Sequence, residues 1–289
     1  MAALRAIRNY LGLIRVSHTL FALPFALAAM LIAAKGLPSC STILLVLAAM
    51  VAARSCAMAV NRLADAEMDA RNPRTALRHI PTGALSRRSV VVFAVGCGLV
   101  FVGITFLINP LAFALSPVVI AVFVVYPFTK RFTSLTHGVL GLALGLAPVG
   151  AWIAVTGAFA LAPIVLGAAV LLWVAGFDVI YATLDEAFDR EAGLHSLVVS
   201  LGRRKSLVVA RLLHAATFVL LVLFGLVDPS LRRFYYIGLV LIAGLLVYEH
   251  VIIRRYPNDP RRINIAFFHI NAVVSIVVLA FVALDLFLL

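Results

Sequence analysis

Nine apolar runs, most of them close to twenty residues long, occupy nearly the whole of this 289-residue chain. They cover approximately 17 to 34, 40 to 60, 89 to 108, 111 to 128, 138 to 157, 161 to 184, 206 to 227, 234 to 253 and 265 to 288. A hydrocarbon layer of about 30 Å takes roughly 20 helical residues to cross. Open strands would leave unpaired backbone groups in lipid, so the runs read as helices and the fold class as all-α and polytopic, with about nine transmembrane spans. With 64% hydrophobic residues and a mean hydropathy of +1.12, no stretch is polar enough to form a separate soluble domain. Residues 1–289 therefore read as a single integral membrane domain. The first run follows Arg5, Arg8 and Arg15 in the manner of a secretory signal, but eight further runs favour an uncleaved first helix. Ile108, Asn109 and Pro110 alone separate the third run from the fourth, which predicts a tight helical hairpin.

The charge distribution orients these spans. Of 24 Lys and Arg, 19 fall on one side of the nine-span arrangement, at the N-terminus and in the loops around 62 to 88, 130 to 131, 190 to 205 and 254 to 262. Basic residues in short loops stay on the cytoplasmic side, which places the N-terminus there. The net charge of +12 is explained by this bias and by attraction to anionic lipid, and nucleic acid is not an expected partner. Cys40, Cys56 and Cys97 show neither zinc-ligand spacing nor the even number of a disulfide framework.

Carboxylates are scarce and clustered. Eight of the twelve lie in two windows, Asp65, Glu67 and Asp69 in the first and Asp178, Asp185, Glu186, Asp189 and Glu191 in the second, both at the cytoplasmic ends of spans. Isolated carboxylates are costly in lipid, so each cluster should sit where a span meets water or a protein-lined cavity. Asn61, Asp65 and Asp69 are four apart and share one helix face, where like charges repel unless a divalent cation lies between them. Mg2+ favours a few carboxylates together with phosphate oxygens and water. In the second window Asp178, Tyr181, Asp185 and Asp189 stand at offsets of 0, 3, 7 and 11, predicting a second stripe on one helix. Two facing stripes would bind Mg2+ and, through it, a diphosphate. Each alone is equally well read as a solvated helix end. Together they gain weight because the spacing recurs about 120 residues apart, and helices one to four and five to eight read as a weak internal repeat.

Cations accompany the clusters: Arg74 and Arg78 follow the first, and Tyr126-Pro127-Phe128-Thr129-Lys130-Arg131 follows the fourth span. Arg recognises phosphate through a planar fork, and Lys through a compact charge. Arg54 lies two helical turns deeper than Asn61 on the same face. A lipid-facing Arg there would be expensive, so it is expected to point into a polar cavity beyond the metal site.

These residues resemble the UbiA superfamily of intramembrane prenyltransferases over nearly the whole chain. The resemblance rests on the nine-span layout, on Arg54-Ser55-Cys56 before Asn61-x-x-x-Asp65-x-x-x-Asp69, and on Arg74-Thr75-x-x-Arg78. It rests further on Tyr126-Pro127-x-x-Lys130-Arg131 and Asp178-x-x-Tyr181-x-x-x-Asp185-x-x-x-Asp189. Within the superfamily the chain is similar to the bacterial 4-hydroxybenzoate polyprenyltransferase-like group, including members assigned to menaquinone synthesis through futalosine. It departs from the common ubiquinone-pathway pattern at Asn61-Arg62, at Arg78-His79-Ile80-Pro81 and at His195. The acceptor therefore stays open between 4-hydroxybenzoate and 1,4-dihydroxy-6-naphthoate.

The resemblance implies Mg2+-dependent transfer of a polyprenyl group from its diphosphate to an aromatic ring. In that reading Asp65, Asp69, Asp185 and Asp189, helped by Asn61, hold the metal, while Arg74, Arg78, Lys130 and Arg131 clamp the diphosphate. Arg54 holds the acceptor, Tyr126 and Tyr181 face the allylic cation or orient a carboxylate, and Asp178 takes the ring proton or supports the metal shell. His18 and His195 are weaker candidates. The alternative from another class is a cation-coupled transporter, which would also carry intramembrane carboxylates. The position of both clusters at span ends beside basic loops suits phosphate chemistry better.

Overall fold

The computed structural model describes residues 2–14 and 21–289, the first six of them by backbone alone, so the expectation for His18 falls outside the described residues. Among the described residues every regular element is a helix. Its helices are α1 (Ala2–Ile14), α2 (Leu23–Ala34), α3 (Cys40–Arg71), α4 (Arg87–Ile108), α5 (Pro110–Val125), α6 (Thr136–Thr156) and α7 (Leu161–Ala182). They continue as α8 (Glu186–Glu191), α9 (Leu197–Leu201), α10 (Arg203–Val227), α11 (Arg233–Arg255), α12 (Pro260–Asn264) and α13 (Asn271–Leu288). A 3-10 turn (Tyr126–Arg131) follows α5, and a π-helical turn (Ile265–Ile270) joins α12 to α13 in one continuous apolar span.

Among the described residues eight helices are long and apolar enough to cross a membrane. The first expected span is represented by α2, whose 12 described residues fall short of a bilayer by themselves. Several of the expected boundaries hold closely where caps fix them, although α3 runs on to Arg71, well past the expected end at 60. Ser39 and Ser86 accept the Thr42 and Ser89 amides at 3.2 and 3.1 Å. Asn109 closes the predicted hairpin: its Oδ1 accepts the Ala112 amide at 2.8 Å and its Nδ2 donates to the Ile153 carbonyl at 2.8 Å. Pro110 then opens α5, where a missing N–H costs nothing.

α7 is the most deeply buried span and packs chiefly against α6 and α10. The α6 contact is backbone to backbone: a Cβ on Gly145 would lie 2.5 Å from the Gly167 carbonyl oxygen, and one on Gly141 would strike the Leu171 carbonyl. Small residues permit this approach where lipid supplies no hydrophobic drive between helices. A second group, α3 to α6, encloses a cavity.

At the opposite end from the basic loops, Asp285 of α13 is 2% exposed and accepts the amides of Arg232, Phe234 and Tyr235 at 2.7, 3.0 and 2.9 Å. It thus caps the start of α11 from another helix. Asp285→Ala is expected to destabilise the protein by about 2 kcal/mol, since the amides it satisfies lose their acceptor. An unchanged thermal midpoint in detergent would show that water replaces it without loss.

Candidate active site

The site forms where α3 outruns its apolar stretch. The helix continues to Arg71, carrying Asn61, Asp65 and Asp69 on one face as the spacing predicted, with Asn61 Nδ2 donating to Asp65 Oδ2 at 3.4 Å. Asp65 and Asp69 are buried. At the end of α3 the Asn72 side chain accepts the Arg74 amide at 2.9 Å, folding the chain back so that Arg78 reaches Asp69 with 2.6 and 2.7 Å contacts to its two oxygens.

The second window departs from expectation. α7 ends at Ala182, so Asp178 and Tyr181 belong to it while Asp185 stands before α8 and Asp189 lies within α8. The break has local causes. Thr183 Oγ1 donates to the Ile180 carbonyl at 2.7 Å, and the Leu184 and Asp185 amides reach back three residues rather than four, to Tyr181 and Ala182. The four residues are therefore not one helical stripe. They form a bent ledge, and the bend turns Asp185 toward α3.

The two windows meet there. Asp185 Oδ1 accepts from Asn72 Nδ2 at 3.1 Å and from Arg74 Nε at 2.8 Å, and a further Arg74 Nη2 contact reaches Oδ2. Arg74 Nη1 donates to the Tyr181 hydroxyl at 2.9 Å. The 3-10 turn after α5 brings Lys130 Nζ to 2.8 Å from Asp65 Oδ1. Lys130 also lies near enough to Asp189 to lower its pKa, although burial first and the Asp185 charge second push that carboxyl up to about 6. Arg131 turns elsewhere: it donates to the Ala64 carbonyl at 2.6 Å and fastens the turn to α3. His195 contributes its backbone, its amide donating to the Lys130 carbonyl at 2.7 Å. Glu67 and Glu186 pair with Arg87 and Arg190 away from this centre.

The donor set fits a small hard cation. Five side chains, Asn61, Asp65, Asp69, Asp185 and Asp189, offer only oxygen acceptors. Among the described residues no three acidic, imidazole or thiol side chains form a ready metal cage, and Asp65, Asp69 and Asp185 each face a cation instead. Mg2+ is usually completed by substrate phosphates and water rather than enclosed by protein, so these oxygens would supply only part of its shell.

Behind the charged layer lies an apolar cavity of about 310 Å³ between α3, α4, α5 and α6. Arg54 and Tyr126 line it, Phe101 and Phe123 wall it, and Ile108 and Phe159 mark its far end. Arg54 thus lines a cavity, as its depth in the span led one to expect, but the cavity is apolar rather than polar: its walls are almost entirely aliphatic and aromatic, and Arg54 is the one charged residue among them. The Tyr126 hydroxyl donates to the Ala57 carbonyl at a long 3.5 Å.

Comparison with known proteins settles the family. The model of the UbiA prenyltransferase family matches residues 22–273. The chain belongs to the UbiA prenyltransferase family. It is 34% identical to a 4-hydroxybenzoate octaprenyltransferase of Alkalilimnicola ehrlichii over 77% of this chain and 75% of the relative. Identity to that of Tolumonas auensis is 33%, over 83% and 84%. Among solved structures, a UbiA homologue from Aeropyrum pernix superposes with a TM-score of 0.83 at 32% identity, covering 93% of this chain and 98% of that one. A homologue from Archaeoglobus fulgidus shares the fold at a TM-score of 0.72 and 22% identity, over 95% and 99%.

Two partners in this UbiA site escaped the sequence reading. His137, buried in the first turn of α6, brings Nδ1 to 2.7 Å from Asp178 Oδ2, and Asn72 links the two windows. The signal for His137 was a lone polar side chain entering an apolar helix, which is equally the mark of a packed core histidine.

Proposed function

We propose that the protein transfers a polyprenyl group from polyprenyl diphosphate to an aromatic acid, 4-hydroxybenzoate or 1,4-dihydroxy-6-naphthoate, in quinone biosynthesis. The observation that carries this is the joining of two oxygen-rich windows, more than a hundred residues apart, through Arg74 and Asn72, directly beside a membrane-embedded apolar cavity. Two further findings support it. The matched relatives are named for octaprenyl transfer to 4-hydroxybenzoate, and the Archaeoglobus fulgidus homologue was solved bound to DMAPP and Mg2+. The site loops and the N-terminus face the cytoplasm in this reading, in a bacterial inner membrane, with the whole chain acting as one domain.

Asn61, Asp65, Asp69, Asp185 and Asp189 would hold Mg2+, which when bound neutralises charge gathering on the leaving diphosphate. In this reading Arg74, Arg78 and Lys130, now paired with Asp185, Asp69 and Asp65, bind diphosphate oxygens, and Arg131 holds the turn that carries Lys130. C–O cleavage leaves an allylic cation, with the bonding electron pair departing on the diphosphate. The apolar cavity keeps water from that cation until the acceptor ring attacks it. Tyr126 lines this cavity, while Tyr181 stands in the charged layer against Arg74. In this reading Asp178, held by His137, accepts the ring proton that restores aromaticity or supports the metal shell.

Arg54 is the acceptor's anchor, since a guanidinium at a cavity wall suits an aromatic carboxylate. Arg54→Ala should raise KM for the acceptor by about tenfold to a hundredfold, the loss of a charge-assisted hydrogen bond, while KM for the prenyl diphosphate stays within about twofold. Equal changes in both would remove the assignment.

The direct test is turnover of purified protein in lipid with a radiolabelled polyprenyl diphosphate and each acceptor in turn. Prenylation of one acceptor, abolished by EDTA and restored by Mg2+, is the expected result. An intact diphosphate with both acceptors would reject the reaction.

A further inference from the structure

Outside the site, a buried polar cluster joins α7, α10, α11 and α13. Glu249 is fully buried, and its Oε1 accepts from Asn271 Nδ2 at 3.1 Å. Its Oε2 meets no hydrogen-bond donor, the nearest imidazole nitrogen being His214 Nδ1 at 3.6 Å. His214 in turn contacts His250 Nε2 at 3.1 Å and the Trp173 carbonyl at 3.2 Å, its ring lying over Gly176, where a Cβ would collide with it.

The orientation of the Asn271 amide follows from its neighbours. Trp173 Nε1 can only donate, and at 2.7 Å it makes the facing atom of Asn271 the carbonyl oxygen. Nδ2 is thereby turned to Glu249 and to the Ala266 and Phe267 carbonyls, at 3.0 and 3.1 Å. Those carbonyls belong to the π-helical turn Ile265–Ile270, a wide turn that needs outside partners to persist within a membrane helix. From this turn the Phe267 ring stacks on Tyr181, with centroids 4.1 Å apart and planes 27° apart. Tyr181 accepts from Arg74, the side chain that grips Asp185.

We infer that Asn271, oriented by Trp173 and Glu249, is a positioning residue for the diphosphate site: it pins the π-turn that presses Phe267 against Tyr181 and so sets the direction of Arg74. This rests on the proposed assignment of Arg74 to the diphosphate. A continuous α-helix through 265–270 would rotate Phe267 about the helix axis and withdraw the ring. The buried Asn271 amide then has a purpose that an apolar side chain there could not serve, since its Nδ2 holds the Ala266 and Phe267 carbonyls of the π-turn.

The test is steady-state kinetics of Asn271→Leu, Phe267→Leu and the double variant in nanodiscs, with thermal midpoints and hydrogen exchange on the same samples. Each single change should lower kcat/KM for the prenyl diphosphate by about tenfold or more, since small misplacements of a positioned group are costly. KM for the aromatic acid should hold. The double variant should be no worse than the worse single, whereas the losses would multiply if the two residues acted separately. Phe267→Tyr, which keeps the stacking face, should restore activity. Should Asn271→Leu fail to fold, Trp173→Phe frees the amide to turn and is expected to give the same kinetic pattern. Multiplying losses, or an inactive Phe267→Tyr, overturn the inference. Exchange separates this from failure of the proposed reaction. If the wild type turns over neither acceptor, faster exchange at residues 265–271 and 178–191 in Asn271→Leu still supports the pinning, and unchanged exchange there overturns it.

Discussion

Asp185→Asn should reduce prenyl transfer by about a thousandfold while the protein inserts and purifies as the wild type does. The expected size is that of removing a preorganised electrostatic group from a site where charge develops. Arg74 and Asn72 both hold Asp185 Oδ1, and through it the segment that follows α3 meets the segment that follows α7. An amide keeps the shape but loses the charge that would attract Mg2+ and align Arg74. The Arg74 and Asp185 side chains are 32% and 17% exposed and the pair is bidentate, so breaking it should cost about 1 kcal/mol of stability, small beside the loss of activity. Asp65→Asn should be equally inactive, but it leaves Lys130 without its counter-charge against a carboxyl only 7% exposed. Some loss of stability is therefore expected there, of about 1–3 kcal/mol. Turnover assays beside a thermal melt separate the two effects. Near-normal activity in both variants would remove the metal and diphosphate assignment altogether.

Gly145→Leu should prevent recovery of folded protein. The new Cβ would stand 2.5 Å from a backbone oxygen of α7, and a backbone cannot turn aside as a side chain can. The helices must separate, and with them the core around Trp173 and the ledge that carries Asp178 and Tyr181. Overpacking within a core typically costs about 1–3 kcal/mol when side chains can yield, so a larger loss is expected here. Gly244→Leu is the matched control, since nothing lies within 4 Å of a Cβ at that position. Gel filtration of both variants in mild detergent should show a sharp peak for Gly244→Leu and aggregate for Gly145→Leu. A sharp peak for both would mean that α6 and α7 can pack by another route.

The sequence by itself determined the membrane class, the helical hairpin at Asn109, and the face shared by Asn61, Asp65 and Asp69. Each of these depends on residues a few positions apart, and helix periodicity or a local cap fixes them without reference to the rest of the chain. The cavity position of Arg54 was legible for a related reason: a charge at that depth has few tolerable alternatives. What periodicity could not foresee was the break at Ala182. There three-residue hydrogen bonds and the Thr183 hydroxyl defeat the spacing that Asp178, Tyr181, Asp185 and Asp189 advertise. Only the tertiary structure decided which groups meet: Asn72 with Asp185, Lys130 with Asp65, His137 with Asp178, Asn271 with Glu249. These pairs lie on different helices or loops, and their contact follows from how the helices pack. The same packing, through glycines no larger than the gap between two backbones, sets how deeply α7 sits and therefore where its carboxylates face.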